Sequence, residues 1–358
     1  MVGAVRKYAF INAKLRARIS NLISEEIFRR IESARTLEEA LGLLRDTQYD
    51  VLDKIYRSTG DLKFGELELL KKEIGLYTEI EKYVSGVELD LVKALALNYE
   101  IENLKNALRL YFERSTMHRS IENKVYYIFR DKIQHDIKVE RVINADNLED
   151  ISAALNDTPY ARIIEEYRDE IIKEGSLFPL EIALDQFFYK NLIFHAEKLS
   201  SLDKKETMRL VGVEIDLQNI NWVIRFRTFY DLPLERVLAL IIPQGFNIDE
   251  RSIREAYSSQ NVSQILEGII KTKYQGLSTM LASGTPAISG TPAISSRLLL
   301  IEQILEQIMR REIRQILVGY PFTIGIILSY FILRKNELNK VREILNAKQY
   351  NVTGDILS

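Results

Sequence analysis

Apolar residues recur along this chain at steps of three and four, the spacing that gathers them on one side of a helix. Tyr8, Ile11, Leu15, Ile19 and Leu22 form the first such stripe and predict an N-terminal helix packed on the body. Thr36 opens the next helix. Glu39 stands three residues on, the capping-box arrangement in which hydroxyl and carboxylate satisfy opposite backbone donors. A turn at 46–49 closes it. From Leu62 to Phe112 the interleaving continues as two long helices with a break near Ser85 and Gly86. Only seven prolines and sixteen glycines punctuate 358 residues, and the stretches between are rich in Leu, Ile, Glu, Lys and Arg. The expected fold class is all-α.

Two patterns recur in the same order. The first is an acid, two residues, an asparagine and an apolar residue. It places Glu100, Asn103 and Arg109 against Asp216, Asn219 and Arg225, and a worn third copy begins at Glu337, with Lys340 replacing the asparagine. The second is a polar cap, an apolar helical run and then Thr-x-Tyr. Its copies, 36–49, 147–160 and 261–274, end in Thr47 and Tyr49, Thr158 and Tyr160, and Thr272 and Tyr274. Both patterns return at intervals of 111 to 121 residues, which predicts a chain written three times. The expected repeats are 1–119, 120–232 and 233–358. Within each, Asn103 or Asn219 is expected to be buried and to lock its helix to a neighbouring turn, because a mid-helix amide otherwise competes with backbone bonds.

Gly-Thr-Pro-Ala-Ile-Ser occurs twice in tandem at 284–295 and is expected to be an inserted loop. It lacks the lysine of a phosphate-binding loop. Ile316 to Leu333 runs for 18 residues without a charge, the length at which a membrane span is considered. Pro321 within it predicts the start of a fresh helix, which leaves a run that suits a buried core helix rather than a span of its own.

Net charge is −2 and there is no cysteine. That argues against a nucleic-acid partner and removes disulfides, thiolate metal sites and cysteine nucleophiles. An intracellular compartment is expected. Arg6, Lys7, Lys14, Arg16 and Arg18 precede the first acid at Glu25, a composition that fits a transit peptide, but the apolar stripe favours a packed helix. The aromatics of 184–199 read as core. His118, His135 and His195 share no metal-ligand spacing. No nucleophile, zinc or dinucleotide motif is present, and adjacent aspartates, which a helical isoprenoid synthase would need, do not occur. No cofactor, metal or small-molecule substrate is expected, and the enzyme class is the weaker one. A helical-repeat scaffold that binds another helical partner is the alternative.

The opening run from Tyr8 to Arg18, with Tyr8, Asn12, Arg16 and Arg18, resembles the C subunit of archaeal and bacterial A/V-type ATPases, whose eukaryotic relative is the V-ATPase d subunit. So do Tyr99 to Arg109, Glu214 to Ile220 and Leu328 to Glu337. The likeness spans nearly the whole chain and leaves out mainly the duplicated loop; Lys340, and Asn346 in line with Arg109 and Arg225, depart from it. The resemblance implies a funnel of three helical domains about a pseudo-threefold axis. It implies a non-catalytic rotor component on the cytoplasmic side of the membrane, between the central-stalk subunits D and F and the membrane proteolipid ring.

Overall fold

The computed structural model describes residues 2–259, 268–269, 272–273 and 293–350, and among them every regular element is a helix. The first helices are α1 (Val2–Ser20), α2 (Glu25–Ser33), α3 (Leu37–Leu43), α4 (Asp50–Thr59), α5 (Leu62–Glu81) and α6 (Val87–Ser115). A 3-10 turn at Val125–Tyr127 precedes α7 (Val139–Ile143), α8 (Leu148–Ala154), α9 (Tyr160–Glu174) and α10 (Phe178–Ala196). Then come α11 (Ser201–Arg225), extended by a π turn at Phe226–Tyr230, and α12 (Leu234–Leu240), α13 (Glu250–Tyr257), α14 (Ala293–Val318) and α15 (Gly325–Gln349).

Local chemistry sets several of these boundaries. Thr36 Oγ1 accepts the Glu39 N–H at 3.1 Å and Asn147 Oδ1 accepts that of Asp150 at 2.9 Å, so α3 and α8 begin with equivalent caps. The returning carboxylates bond one residue outside a standard capping box, on the N–H groups of Arg35 and Asp146. Gly86, at φ 59°, turns the chain between α5 and α6, where the break was expected. Helix α4 was not anticipated, and Leu22 lies just past α1, whose buried stripe is Tyr8, Ile11 and Leu15.

The uncharged run at 316–333 is divided between α14 and α15, but not where Pro321 predicted. Helix α15 starts at Gly325, because the Ile324 N–H donates to Asp203 at 2.8 Å and the Thr323 hydroxyl to Glu206 at 2.5 Å. Those bonds hold 321–324 out of the helix. A Cβ on residue 325 would collide with the Glu206 carboxylate, which is why glycine stands there. Among the described residues no helix is long and apolar enough to cross a membrane. Ala293 to Ser295, the end of the duplicated segment, belong to α14 rather than to a loop; the rest of it lies outside the described residues.

The chain divides into two compact units, Met1–Asn12 with Tyr189–Ser329, and Ala13–Phe188 with Tyr330–Ser358. The dividing points fall inside α1, α10 and α15. In the first unit α11 packs along α14, and Val211, Ile215 and Val223 of the one and Ile304, Ile308 and Ile313 of the other are buried. In the second, Leu338, Val341, Ile344 and Leu345 of α15 enter a core with Phe28 and Ile31 of α2, Ala40 and Leu41 of α3, and Leu52, Leu62 and Leu69. Full burial of each such leucine or isoleucine contributes about 1.5–3 kcal/mol, so this core ties the last helix to the first hundred residues.

Candidate functional site

The two recurrent patterns meet in space. On α6, Glu100 and Asn103 are one helical turn apart and both are buried. The Asn103 amide donates to the Phe129 carbonyl at 2.8 Å and its oxygen accepts the Phe129 N–H at 3.1 Å, so one side chain satisfies both backbone groups of a loop residue. Glu100 takes the N–H groups of Gln134 and His135, both at 2.6 Å, and contacts the His135 ring Nδ1 at 2.7 Å. The Tyr160 hydroxyl donates to it at 2.7 Å. Tyr160 is the tyrosine of the Thr-x-Tyr turn.

The same latch stands on α11. Asn219 donates to the Ile242 carbonyl at 2.7 Å and accepts the Ile242 N–H at 2.8 Å, and Asp216 takes the N–H groups of Asn247 at 2.7 Å and Ile248 at 3.1 Å. In both loops the residues that cap the acid follow the asparagine-bound residue at the fifth and sixth positions. Close approach explains Gly245, where a Cβ would run into the Asp216 carboxylate.

The Thr-x-Tyr turns are duplicates too. Thr47 donates to Leu44 and Thr158 to Leu155, each at 2.7 Å, and each hydroxyl accepts the N–H of its tyrosine two residues on. Thr272 instead bonds Gly268 at 2.9 Å; Tyr274 and most of 261–274 lie outside the described residues.

On α15 the acid persists and the asparagine does not. The Tyr49 hydroxyl donates to Glu337 at 3.0 Å, joined by Gln48 at 2.8 Å and the Ile23 N–H. Arg334, one turn earlier, donates to Glu337 at 3.0 Å and to Glu73 at 2.9 Å, and its guanidinium lies 4.6 Å from the centre of the Tyr49 ring. Here a short turn at 21–24 replaces the long loops. In place of a loop amide, Lys340 meets Glu32 at 3.3 Å and lies over the Phe28 ring at 4.4 Å.

The expectation that these asparagines act within each repeat is corrected. Asn103 binds Phe129 and Asn219 binds Ile242, so each partner lies beyond the expected bounds at 119 and 232. The loop that follows a long helix is the nearest chain that can fold back on it. Tyrosine and acid pair in the same staggered manner, Tyr160 with Glu100 and Tyr49 with Glu337.

Electrostatics separates the copies. Burial opposes ionisation of Glu100, but the His135 ring and backbone, the Tyr160 hydroxyl and the Gln134 N–H outweigh it and hold the carboxyl below the usual range. At Glu337 burial wins, and its carboxyl is pushed up despite Ile23, Arg334 and Tyr49. Burial also drives the Tyr49 and Tyr160 hydroxyls far up, so both stay protonated donors.

Of the remaining sequence-predicted residues, Arg109 pairs with Glu181 at 2.7 Å, Arg225 is exposed, and Asn346 meets Glu66 at 3.3 Å. Tyr8 donates to Asp203 at 2.9 Å, Asn12 to the Pro321 carbonyl, and Arg18 to Glu79 at 2.6 Å, while Arg16 is on the exposed side of α1. Sequence reasoning took His135 only as a structural or surface residue, without its partner, and missed Glu73, Arg334 and Asp203. Only Arg334 had a usable signal, a cation three residues before the acid on one helix face. Phe188 and Tyr189 are core, whereas Phe194 is exposed beneath Lys198. His118 is exposed at φ 51°.

Among the described residues no nucleophile, base and oxyanion donor converge at these latches; their polar groups join helix to turn at Glu100, Asn103, Asp216 and Asn219, and helix to helix where Arg334 meets Glu73 and Lys340 meets Glu32. Residues 11–357 match the family described as ATP synthase (C/AC39) subunit. The chain belongs to that family. Its curated relatives include the C subunit of the A-type ATP synthase of Methanosphaera stadtmanae, 22% identical over 343 residues, which are 96% of this chain and 84% of that protein. That of Methanocaldococcus jannaschii is 21% identical across 98% of this chain and 85% of its own length. The Methanosarcina acetivorans protein is 23% identical, with 98% and 91% covered. Members of this family have a structural rather than a catalytic part in the enzyme.

Proposed function

We propose that this chain is the rotor coupling component of an ion-translocating A/V-type ATPase, standing between the central-stalk subunits D and F and the membrane proteolipid ring, on the cytoplasmic side. The match of residues 11–357 to an ATP synthase family carries the reading. The latch geometry supports its mechanical half. A part that passes torque must not shear between its helices, and a close-packed interior with satisfied buried polar groups transmits strain instead of absorbing it. The latches on α6 and α11 each fix a long helix to the chain that follows it, and that on α15 fixes the last helix to chain near the start.

The proposed architecture is three helical domains, 1–119, 120–232 and 233–358, about a pseudo-threefold axis in a funnel-like body. Its support is the staggered pairing, in which the acid of one copy takes the tyrosine of the next and the acid of the last copy takes the tyrosine of the first. Such a rule of succession suits a closed cycle. Partners that lack threefold symmetry would meet the three domains unequally, which leaves outer faces free to diverge while latch positions recur.

Affinity purification of the solubilised ATPase through another of its polypeptides tests the function, with this chain expected in constant ratio to the axle proteins. A complete, coupled ATPase without it would overturn the reading. Recovery with an unrelated helical protein instead would favour the plain repeat scaffold. Electron microscopy of the isolated chain tests the architecture, for which three equal lobes around a hollow are expected.

A further inference from the structure

Helices α11 and α14 of the first unit run antiparallel. Arg209 of the one pairs with Glu312 of the other, and three residues earlier on α11 Glu206 takes the Thr323 hydroxyl just past the end of α14. One end of the pair therefore holds both the start of α11 and the finish of α14.

The acids of α11 at this end are turned inward. Asp203 is buried and takes Tyr8, Ser200 and the Ile324 N–H, while Glu206 is half-buried on Thr323. The cations point outward. Lys204, Lys205 and Arg314 are exposed, and none of their side chains has a partner among the described residues. Glu197 and Lys198, both exposed nearby, cancel, so a chain of net charge −2 gathers positive charge here. Apolar tips stand among the cations: Leu202 is 43% exposed, Val318 81% and Tyr320 38%. Val318 follows Arg314 by one helical turn, which puts cation and tip on one face.

Protein interfaces deplete lysine and seat their anchors in pockets. The headgroup layer of a bilayer takes apolar tips without a fitted pocket, and anionic headgroups attract lysine and arginine without a defined geometry. We propose that this end of the first unit docks on a bilayer surface bearing anionic phospholipid, with Leu202, Val318 and Tyr320 entering the headgroup layer and Lys204, Lys205 and Arg314 against its phosphates. No axle or ring protein takes part in this contact, so it stands or falls apart from the rotor reading.

Sedimentation of the full chain with vesicles of equal parts phosphatidylglycerol and phosphatidylcholine tests it, beside vesicles of phosphatidylcholine alone and immobilised polyglutamate as an acidic polypeptide. Binding to the anionic vesicles is expected, at least about tenfold tighter than to the neutral ones. Lys204→Gln combined with Lys205→Gln should weaken it about twentyfold, and Arg314→Gln about fivefold. Val318→Ser should weaken it about threefold. Arg225→Gln, about 30 Å away along α11, should change nothing. Every position changed is exposed, so the variants keep the fold to be measured. Absence of binding to the anionic vesicles, equal binding to both kinds, parental binding by the paired lysine variant, or equal weakening by Arg225→Gln overturns the proposal. Retention by polyglutamate in place of vesicles overturns it in favour of an acidic protein partner.

Discussion

The acids on α6 and α15 occupy matching places in the recurrent sequence pattern and each receives the tyrosine of a Thr-x-Tyr turn, yet they are held by different means. Glu100 is surrounded by neutral donors, two backbone N–H groups and a phenol, plus the edge of an imidazole. Glu337 shares a buried cation with a second acid, Glu73. The outcome is a carboxyl held down at the first site and pushed up at the second. Neutral dipoles aimed at a charge stabilise it without adding another charge to desolvate, whereas a buried ion cluster carries the desolvation of every member. A repeat can thus keep its tyrosine and its acid while the electrostatic solution around them is rebuilt.

Arg334→Met should separate the two sites most sharply, since it leaves Glu73 and Glu337 buried without their cation. A loss of about 3–5 kcal/mol is expected in urea unfolding, with the Glu100 site untouched. Glu100→Gln comes next, at about 1.5–3 kcal/mol, the usual worth of hydrogen bonds to a charged group. Asn103→Ala and Asn219→Ala should each cost about 1–3 kcal/mol, because both polar groups of Phe129 or Ile242 lose their partner, whereas Lys340→Ala should cost under about 1 kcal/mol. Equal losses at all three would end the view that the third copy has replaced its amide latch. Tyr160→Phe and Tyr49→Phe should be the mildest latch changes, about 1 kcal/mol each, and a double-mutant cycle with the facing acid should recover most of that as coupling.

Acid titration sharpens the contrast by sign. The Glu100 carboxyl lies below its unfolded value of about 4.3, so its contribution is present above that pH and is lost as pH falls through the lower, folded value. Glu337 lies above its unfolded value, so its ionisation weakens the fold as pH rises through the raised value, and that penalty disappears in acid. Glu100→Gln should therefore flatten the acid limb of the stability profile. Glu337→Gln should remove the relief at low pH and make that limb steeper. Parallel profiles for the two variants would contradict the assignment of opposite directions.

Much of this was legible along the chain. Thr36 and Asn147 mark helix starts by cap chemistry that acts within three residues, and Thr47 and Thr158 mark turns by bonds equally local. The recurrence of the Glu100, Asn103 and Tyr160 pattern at matching intervals marked the residues that the structure joins in latches. Helix α4 escaped notice because its apolar positions follow the Thr-x-Tyr turn without a side-chain cap at Tyr49. The start of α15 was misplaced because Asp203 and Glu206, more than a hundred residues away, decide where Thr323 and Ile324 leave the helix.

The sequence alone determined that the chain is helical, where its polar side chains interrupt apolar stripes, and that one pattern of acid, amide and tyrosine returns along it. These are properties of spacing and of bonds that close within a few residues. Only the tertiary structure decided which partner each side chain serves: Tyr49 with Glu337, Tyr160 with Glu100, Arg334 between two acids, Asn103 on the loop residue Phe129. Partnership between distant residues depends on which chain segment the packed core brings back to a helix, and no local preference encodes that return.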